Sequence, residues 1–415
     1  MSRPVKRIAA ALVAAISLAP ACALGGDGGM VEDADSLTHD VVPERRRLAD
    51  RGVRIRAELT GYYQARVAGS PRTDAAPAGR FDALVDVDTA KAGGWAGGGL
   101  HTHLEYRVGD PAKSQGRTVL PVNAGLALPL LAEGEWVATS LYLSQRLGPS
   151  TVVLAGKINP LDLIARDPFF GGWGVHGFMN IAFVAPPAGV MPAVFMGVML
   201  NHAIGPWRLS LVVSDPEDKA DSYSLRGLFE DGVDASATAL WTGTLGGRPS
   251  YAGITAAAKT KAPEKLTSFG LPPELVAARE DRRSSNVTLQ AGHLLQERTA
   301  VPGRGLGVYA RAGLGGGDAN PIRASFAGGF AGHGIVPGRP RDSFGIGYAF
   351  FRFDSALADL SLPALRFDDE HVLEVFYSAS ATRWLRITAD LQAIRPATPG
   401  ARGSVVAGMR VSLLF

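Results

Sequence analysis

Cysteine is almost missing from this chain: its 415 residues include one, Cys22. No disulfide can form within the chain, so stability has to come from burial and hydrogen bonding. A charge excess is missing as well. Forty-two Lys and Arg face 39 Asp and Glu, a formal net charge of +3, which argues against nucleic acid as a partner. An uninterrupted apolar helix is also lacking. The long apolar stretch Ile181 to Leu200 contains Pro186, Pro187, Gly189 and Pro192, and each proline would leave backbone groups unpaired in a helix crossing lipid. Two short extended pieces joined by a Pro-Pro-Ala-Gly turn are expected there instead.

Catalytic signatures are absent too. There is no G-x-S-x-G elbow and no H-E-x-x-H pair in the sequence, so no enzyme activity and no cofactor are expected. Gly303, Gly305 and Gly307 lead into a strand pattern, not the helix N-terminus that a phosphate cradle needs. His101 and His103 share one face of a strand, but no third ligand stands at a recognisable spacing. No metal site is expected, and the two rings are read as hydrated groups of a lumen or rim.

What the chain does have is alternation. In its last stretch Val405, Ala407, Met409, Val411, Leu413 and the terminal Phe415 are apolar, with Ser404, Gly408, Arg410 and Ser412 between them. A period of two sends the sets to opposite faces of a strand. After Gly52 the same rhythm runs from Val53 to Val67, with Arg54, Arg56, Glu58, Thr60, Gln64 and Arg66 on the polar face. Roughly 5–6 residues suffice for a soluble strand, whereas a tilted membrane strand needs about 9–11. Charges of both signs on the inner face suit a water-filled lumen better than a dry core.

The pattern recurs at Leu306–Leu314, Trp207–Ser214 and Leu385–Ala393, and more weakly in eleven further stretches between Phe81 and Tyr377. About 16 strands result, an even number within the range of bacterial barrels. The expected fold is all-β, a transmembrane antiparallel β-barrel with outer-membrane lipid around it. With 51 Gly and 27 Pro, many turns are available; 262–283 is the longest expected exposed loop.

The beginning of the chain fits export. Arg3, Lys6 and Arg7 precede an apolar run, and Ala21-Cys22-Ala23 supplies small residues for cleavage after Ala23. Residues 1–23 are read as a signal peptide, 24–51 as a periplasmic leader or plug-like cap with a short helix at Pro43–Asp50, and 52–415 as the barrel. A lipoprotein reading, with lipid on Cys22, is the alternative.

One segment follows no period. Lys157 to Asn180 is rich in glycine, aromatics and paired charges, including Asn159, Asp162, Arg166, Asp167 and Trp173. It is either folded into the lumen or an ordinary external loop with an aromatic girdle.

The chain resembles the carbohydrate-selective porin family (OprB-like) of Gram-negative outer membranes. The resemblance rests on Leu48-Ala49-Asp50-Arg51-Gly52-Val53, Gly93-Gly94-Trp95, Gly156-Lys157-Ile158-Asn159-Pro160-Leu161-Asp162, the Phe169–Asn180 stretch, Pro337-Gly338-Arg339-Pro340 and the two closing strands. One departure is at the start, where Glu44-Arg45-Arg46-Arg47 replaces the family's Gly-Asp-Trp-Gly-Gly. The resemblance implies passive diffusion of sugars or similar small hydrophilic solutes through an eyelet lined by arginines and acidic groups. It also favours the inward-folded reading of 157–180. Lys157, Asn159, Asp162, Arg166, Asp167 and Trp173 are then expected at the constriction. From alternation, Arg54, Arg56, Glu58, Arg66, Arg208, Arg311, Asp390 and Arg410 are expected along the lumen. A rival reading is a channel for non-sugar solutes such as small organic anions. The C-terminal strand ending in Phe415 is the expected point of contact with the barrel assembly machinery.

Overall fold

Sixteen antiparallel strands close into one cylinder. The computed structural model describes residues 36–38, 42–69, 75–110, 118–127, 134–164, 167, 169–170, 175–184, 190–260, 283–297, 305–317, 320, 322–353 and 367–415. The first eight strands are β1 (Val53–Ala68), β2 (Ala76–Asp88), β3 (Gly98–Val108), β4 (Trp136–Arg146), β5 (Thr151–Ile158), β6 (Phe195–Ile204), β7 (Trp207–Ser214) and β8 (Asp234–Leu245). The second eight are β9 (Arg248–Lys259), β10 (Ser284–Glu297), β11 (Gly305–Gly316), β12 (Ile322–His333), β13 (Ser343–Phe353), β14 (Glu370–Ser380), β15 (Leu385–Arg395) and β16 (Ser404–Leu414). All the strands expected from alternation are present. Residues 1–23 with Cys22, Arg166, Trp173 and nearly all of 262–283 lie outside the described residues.

Each strand pairs with its sequence neighbours, and β16 pairs back onto β1. The closing register sets Leu59 opposite Leu413 and Tyr63 opposite Met409. The outward apolar sets of the first and last strands therefore meet across the seam, and no edge leaves backbone donors facing lipid. Leu59, Tyr63, Val67 and Met409 are exposed on the outside, while Thr60, Gln64, Arg66 and Arg410 between them are buried on the inside. The inversion of the soluble pattern, apolar out and polar in, is what a hydrocarbon solvent imposes.

Helix α1 (Pro43–Asp50) begins on a proline whose missing N–H costs nothing at that position. It lies at the end of the barrel that carries the start of β1 and the finish of β16, called here the terminal end. The Arg45 guanidinium ties it there, donating to the Ile55 carbonyl at 2.7 Å and to Ser36 at 2.6 Å. The Leu37 amide adds a bond to the Leu414 carbonyl at 2.8 Å. Connections at this end are short, such as 147–150, 205–206 and 246–247; at the far end 109–135 and 159–194 are long.

The described parts of those two long connections turn into the barrel. They carry α2 (Ala124–Ala127), α3 (Pro160–Ile164) and α4 (Ile181–Val184). The last corrects the expectation of two extended pieces in 181–200: Ile181–Val184 is helical, and among the described residues of this stretch only those from Phe195 onward form a strand; the expected turn at 186–189 lies outside the described residues. Asn180 is the cause, because its side-chain oxygen accepts the Ala182 amide at 3.0 Å and starts a helical turn. Among the described residues no helix is long and apolar enough to cross a membrane.

Candidate functional site: the lumen and its inward segments

Residues 118–127 and the described residues of 159–184 lie inside the lumen, and the wall they meet differs from one side to the other. Toward β10–β16 the surface is apolar. Phe169, Phe170, Phe178, Ile181 and Phe183 pack there with Tyr309, Ala327, Ala349, Phe351, Val372 and Phe376 in one buried cluster. Phe178 stacks on Phe183 with ring centres 4.5 Å apart and meets Phe376 edge-on at 4.9 Å. Glycine makes the fit possible. A Cβ on Gly347 would stand 2.6 Å from the Phe183 ring, and one on Gly345 would stand 2.7 Å from Phe178. Only a bare backbone lets those rings approach so closely.

Two glutamates four residues apart on the inner face of β14 hold the segments by their backbones. Glu370 accepts the amides of Val119 at 2.8 Å, Leu120 at 2.9 Å and Ala397 at 3.0 Å. Glu374 accepts the amides of Met179 and Asn180. Gln392 joins the two segments, donating to the Val122 carbonyl at 2.9 Å and accepting from the Asn180 side chain at 3.0 Å. Each bond satisfies a loop amide or carbonyl that turned away from water when the segment entered the barrel.

Toward β1–β4 the wall is ionic. Arg80 Nη2 stands 2.6 Å from Asp82 and 3.1 Å from Glu105, and Arg107 also pairs with Glu105. His103 lies between two carboxylates, 2.8 Å from Asp82 and 2.8 Å from Asp162. Thr139 donates to Glu105 at 2.6 Å and Ser140 to Asp162 at 2.5 Å. Except for Asp162 at the margin, these groups are buried. His103 is thus not the hydrated group expected from sequence; His101, half-buried and 2.7 Å from Asp86, is closer to that description. Asp82, His103 and Glu105 bring ligand atoms near enough to one another for a metal ion, but Arg80 already lies against both carboxylates, and a second cation there would meet its charge.

The residues expected from sequence separate into four placements. Arg54, Arg56, Glu58, Arg66, Arg311, Asp390 and Arg410 lie on the inner face, as alternation implies. Arg56 pairs with Asp86 at 2.7 Å, the His176 ring stands 2.9 Å from Glu58, and Arg66 lies within electrostatic reach of Glu370. Asp390 accepts from Gln392 at 2.9 Å, and Arg410 donates to the Gly177 carbonyl at 3.0 Å. A second group, Asn159, Asp162 and Asp167, roots the inward segment in the wall. The Asn159 amide donates to Ser140 Oγ at 3.0 Å, and Asp167 accepts the Tyr251 hydroxyl at 2.9 Å.

The third placement is the rim. Arg208 sits beside the 205–206 turn at the terminal end and donates to the Gly205 carbonyl at 3.0 Å. The fourth is a correction. Lys157 shares a face with Val153 and Ala155 and pairs with the outward Leu141, so it leaves the wall on the outer side, away from the constriction. There it donates to the Ala220 carbonyl at 2.8 Å under the Tyr223 ring. The apparent motif Lys-Ile-Asn-Pro spans the end of β5, and strand parity sends Lys157 and Ile158 to opposite faces.

Sequence reasoning missed Arg80, Asp82, Glu105, Arg107, Glu370 and Glu374. The alternation of β2 and β3, carried to their ends, contains the first four; nothing local marks the two glutamates.

A closed 16-stranded antiparallel barrel with long segments folded into its lumen defines the porin class of outer-membrane channels. Residues 72–415 match the carbohydrate-selective porin, OprB family, and the chain belongs to that family. It is similar to the high-pH structure of Pseudomonas putida OprB, with a TM-score of 0.75, 16% identity, and coverage of 92% of this chain and 98% of that one. Its likeness to the low-pH structure of the same protein has a TM-score of 0.59, again at 16% identity and with coverage of 92% and 98%. At that identity the likeness concerns the fold. No curated protein sequence matches the chain.

Proposed function

We propose that this chain is an outer-membrane porin through which small carbohydrates diffuse down their gradient, with the passage bounded by the polar wall and the inward segments. The observation that carries this reading is the asymmetry of the lumen. The described residues of the inward segments bury their rings on the apolar wall and meet the ionic wall only through polar contacts, which leaves hydroxyl, amide and guanidinium groups of the remaining inner face to border the path. A sugar crossing such a path exchanges hydration for these groups, and weak binding at several places lets it leave again. Family membership favours this over the rival channel for non-sugar organic anions.

In the same reading residues 1–23 direct export and are removed, the outward face meets outer-membrane lipid, and β16 with Phe415 is presented to the barrel assembly machinery. Proteoliposome swelling tests the function. Neutral sugars should enter at rates that fall with size and exceed that of benzoate; a protein that passes no ion in planar bilayers and no sugar in vesicles is not a porin.

A further inference from the structure

Among the described residues the charges of the ionic wall are paired, whereas one buried arginine on the opposite side has no hydrogen-bond partner. Arg311, on the inner face of β11, is 2% exposed, and none of its three side-chain nitrogens makes a hydrogen bond among the described residues. One face of its guanidinium lies 4.0 Å from the Phe170 ring of the inward segment. Asp167 is the carboxylate closest in charge terms, but its oxygens are directed elsewhere. Oδ1 accepts the amides of Phe169 at 2.9 Å and Phe170 at 2.6 Å, and Oδ2 accepts the Tyr251 hydroxyl. Two neighbours share the condition of Arg311: Gln290, directly across on β10, and Tyr309, two residues back on β11, have buried polar atoms with no partner among the described residues.

A buried guanidinium without an acceptor is among the least favourable states a side chain can hold, and it creates a strong demand for an anion. Its planar fork fits a carboxylate through two parallel bonds, roughly twice as strong as bonds to neutral acceptors. Gln290 adds a donor and an acceptor, and Tyr309 a hydroxyl that does either. Residues two apart on one strand face stand about 7 Å apart, a span similar to that from the carboxylate of a sugar acid to its far hydroxyls. The approach has the matching sign, since Arg54, Arg56 and Arg386 face the lumen toward the terminal end, with Asp86 beside Arg56.

We infer that the seam between the inward segment and β10–β11 is a binding subsite for acidic sugars, hexuronates or aldonates, with Arg311 seating the carboxylate and Gln290 and Tyr309 the hydroxyls. The inference rests on the carbohydrate-porin reading and narrows its substrate class. Simple aromatic acids would satisfy Arg311 and leave Gln290 and Tyr309 unpaired, so they bind less well than sugar acids.

The test uses the full-length protein in proteoliposomes with labelled glucose, glucuronate and benzoate at low ionic strength. Glucuronate should enter severalfold faster than glucose or benzoate, and Arg311→Gln should lower the glucuronate-to-glucose ratio about tenfold, with Gln290→Leu lowering the glucuronate-to-benzoate ratio. Heat-modifiable gel migration reports whether each variant has folded. Should Arg311→Gln fail to fold, half-block of the wild-type chloride current at lower glucuronate than glucose concentration carries the same information. Glucose entry with equal glucuronate entry, unmoved by either variant, would overturn the subsite and leave the porin standing. Benzoate entering as fast as glucuronate overturns the assignment to sugars. Entry of no sugar at all removes both readings.

Discussion

The two walls of the lumen hold the same inward segment by opposite means. Against β11–β16, Phe178 and Phe183 lie in a bed of rings and bare glycine backbone, where attraction is non-directional and grows with area. Against β1–β4, Asp162 is held by His103 and Ser140 within a set of ions that pair with one another. Apolar packing tolerates small shifts, whereas a buried ion network is favourable only in its full arrangement. The first wall keeps the segment inside the barrel, and the second fixes where its root lies.

The largest effects should come from removing one member of each wall. Arg80→Ala leaves Asp82 and Glu105 buried without their shared cation, a loss of about 3–5 kcal/mol for a broken buried pair. Phe178→Ala removes a buried ring from the apolar bed, also about 3–5 kcal/mol. Unfolding midpoints in urea with lipid present would be similar for the two. Their channels would not: Arg80→Ala should alter ion selectivity, and Phe178→Ala should raise conductance with selectivity retained. Identical changes in both properties would show that the two walls act as one.

An intermediate effect belongs to the amide clamp. Glu374→Ala leaves the Met179 and Asn180 amides without an acceptor in a buried place, at about 1–3 kcal/mol for each orphaned donor. The segment remains in its apolar bed, so the barrel should fold, while its open-channel current noise should rise by a few fold. Quiet currents from this variant would mean that packing alone positions 175–184.

How far the sequence disclosed these features follows from what each depends on. The alternation of β1 or β16 is imposed by lipid on every second residue and is readable from a single strand. The ionic wall depends on register. Asp82 faces Glu105 and Arg80 faces Arg107 across β2 and β3, so like charges are opposite and the attractions run diagonally, which no linear spacing reveals. Glu370 and Glu374 were hidden because their partners are backbone amides some 200 residues away in sequence. Lys157 lies away from the expected constriction for a local reason: the Lys-Ile-Asn-Pro motif runs through a strand end, where parity separates neighbours. The close glycines Gly345 and Gly347, alternate on one strand face, were a visible sign that something approached the β13 wall.

The smallest expected effect sharpens the comparison with an ionic site at the barrel rim, where a buried carboxylate meets an arginine that reaches water. Asp342, in the turn between β12 and β13 at the terminal end, accepts the Tyr377 hydroxyl at 2.5 Å, the Arg339 Nε at 2.7 Å and the Ser380 amide at 2.9 Å. Burial pushes its carboxyl up, but these three donors, led by Tyr377, outweigh it and hold the group below the ordinary aspartate range. A depressed folded value means the stabilisation is present above the unfolded-state value, about 3.9, and is lost as pH falls through the folded one. Asp342→Asn should therefore cost about 1 kcal/mol at neutral pH and nothing measurable once the wild-type carboxyl is protonated. Urea titrations of both proteins across pH 2 to 7 would converge at the acid end. Since Arg339 keeps contact with water, which screens its charge, the loss should stay well below that of Arg80→Ala; equal losses would mean that burial of both partners is not what gives the ionic wall its strength.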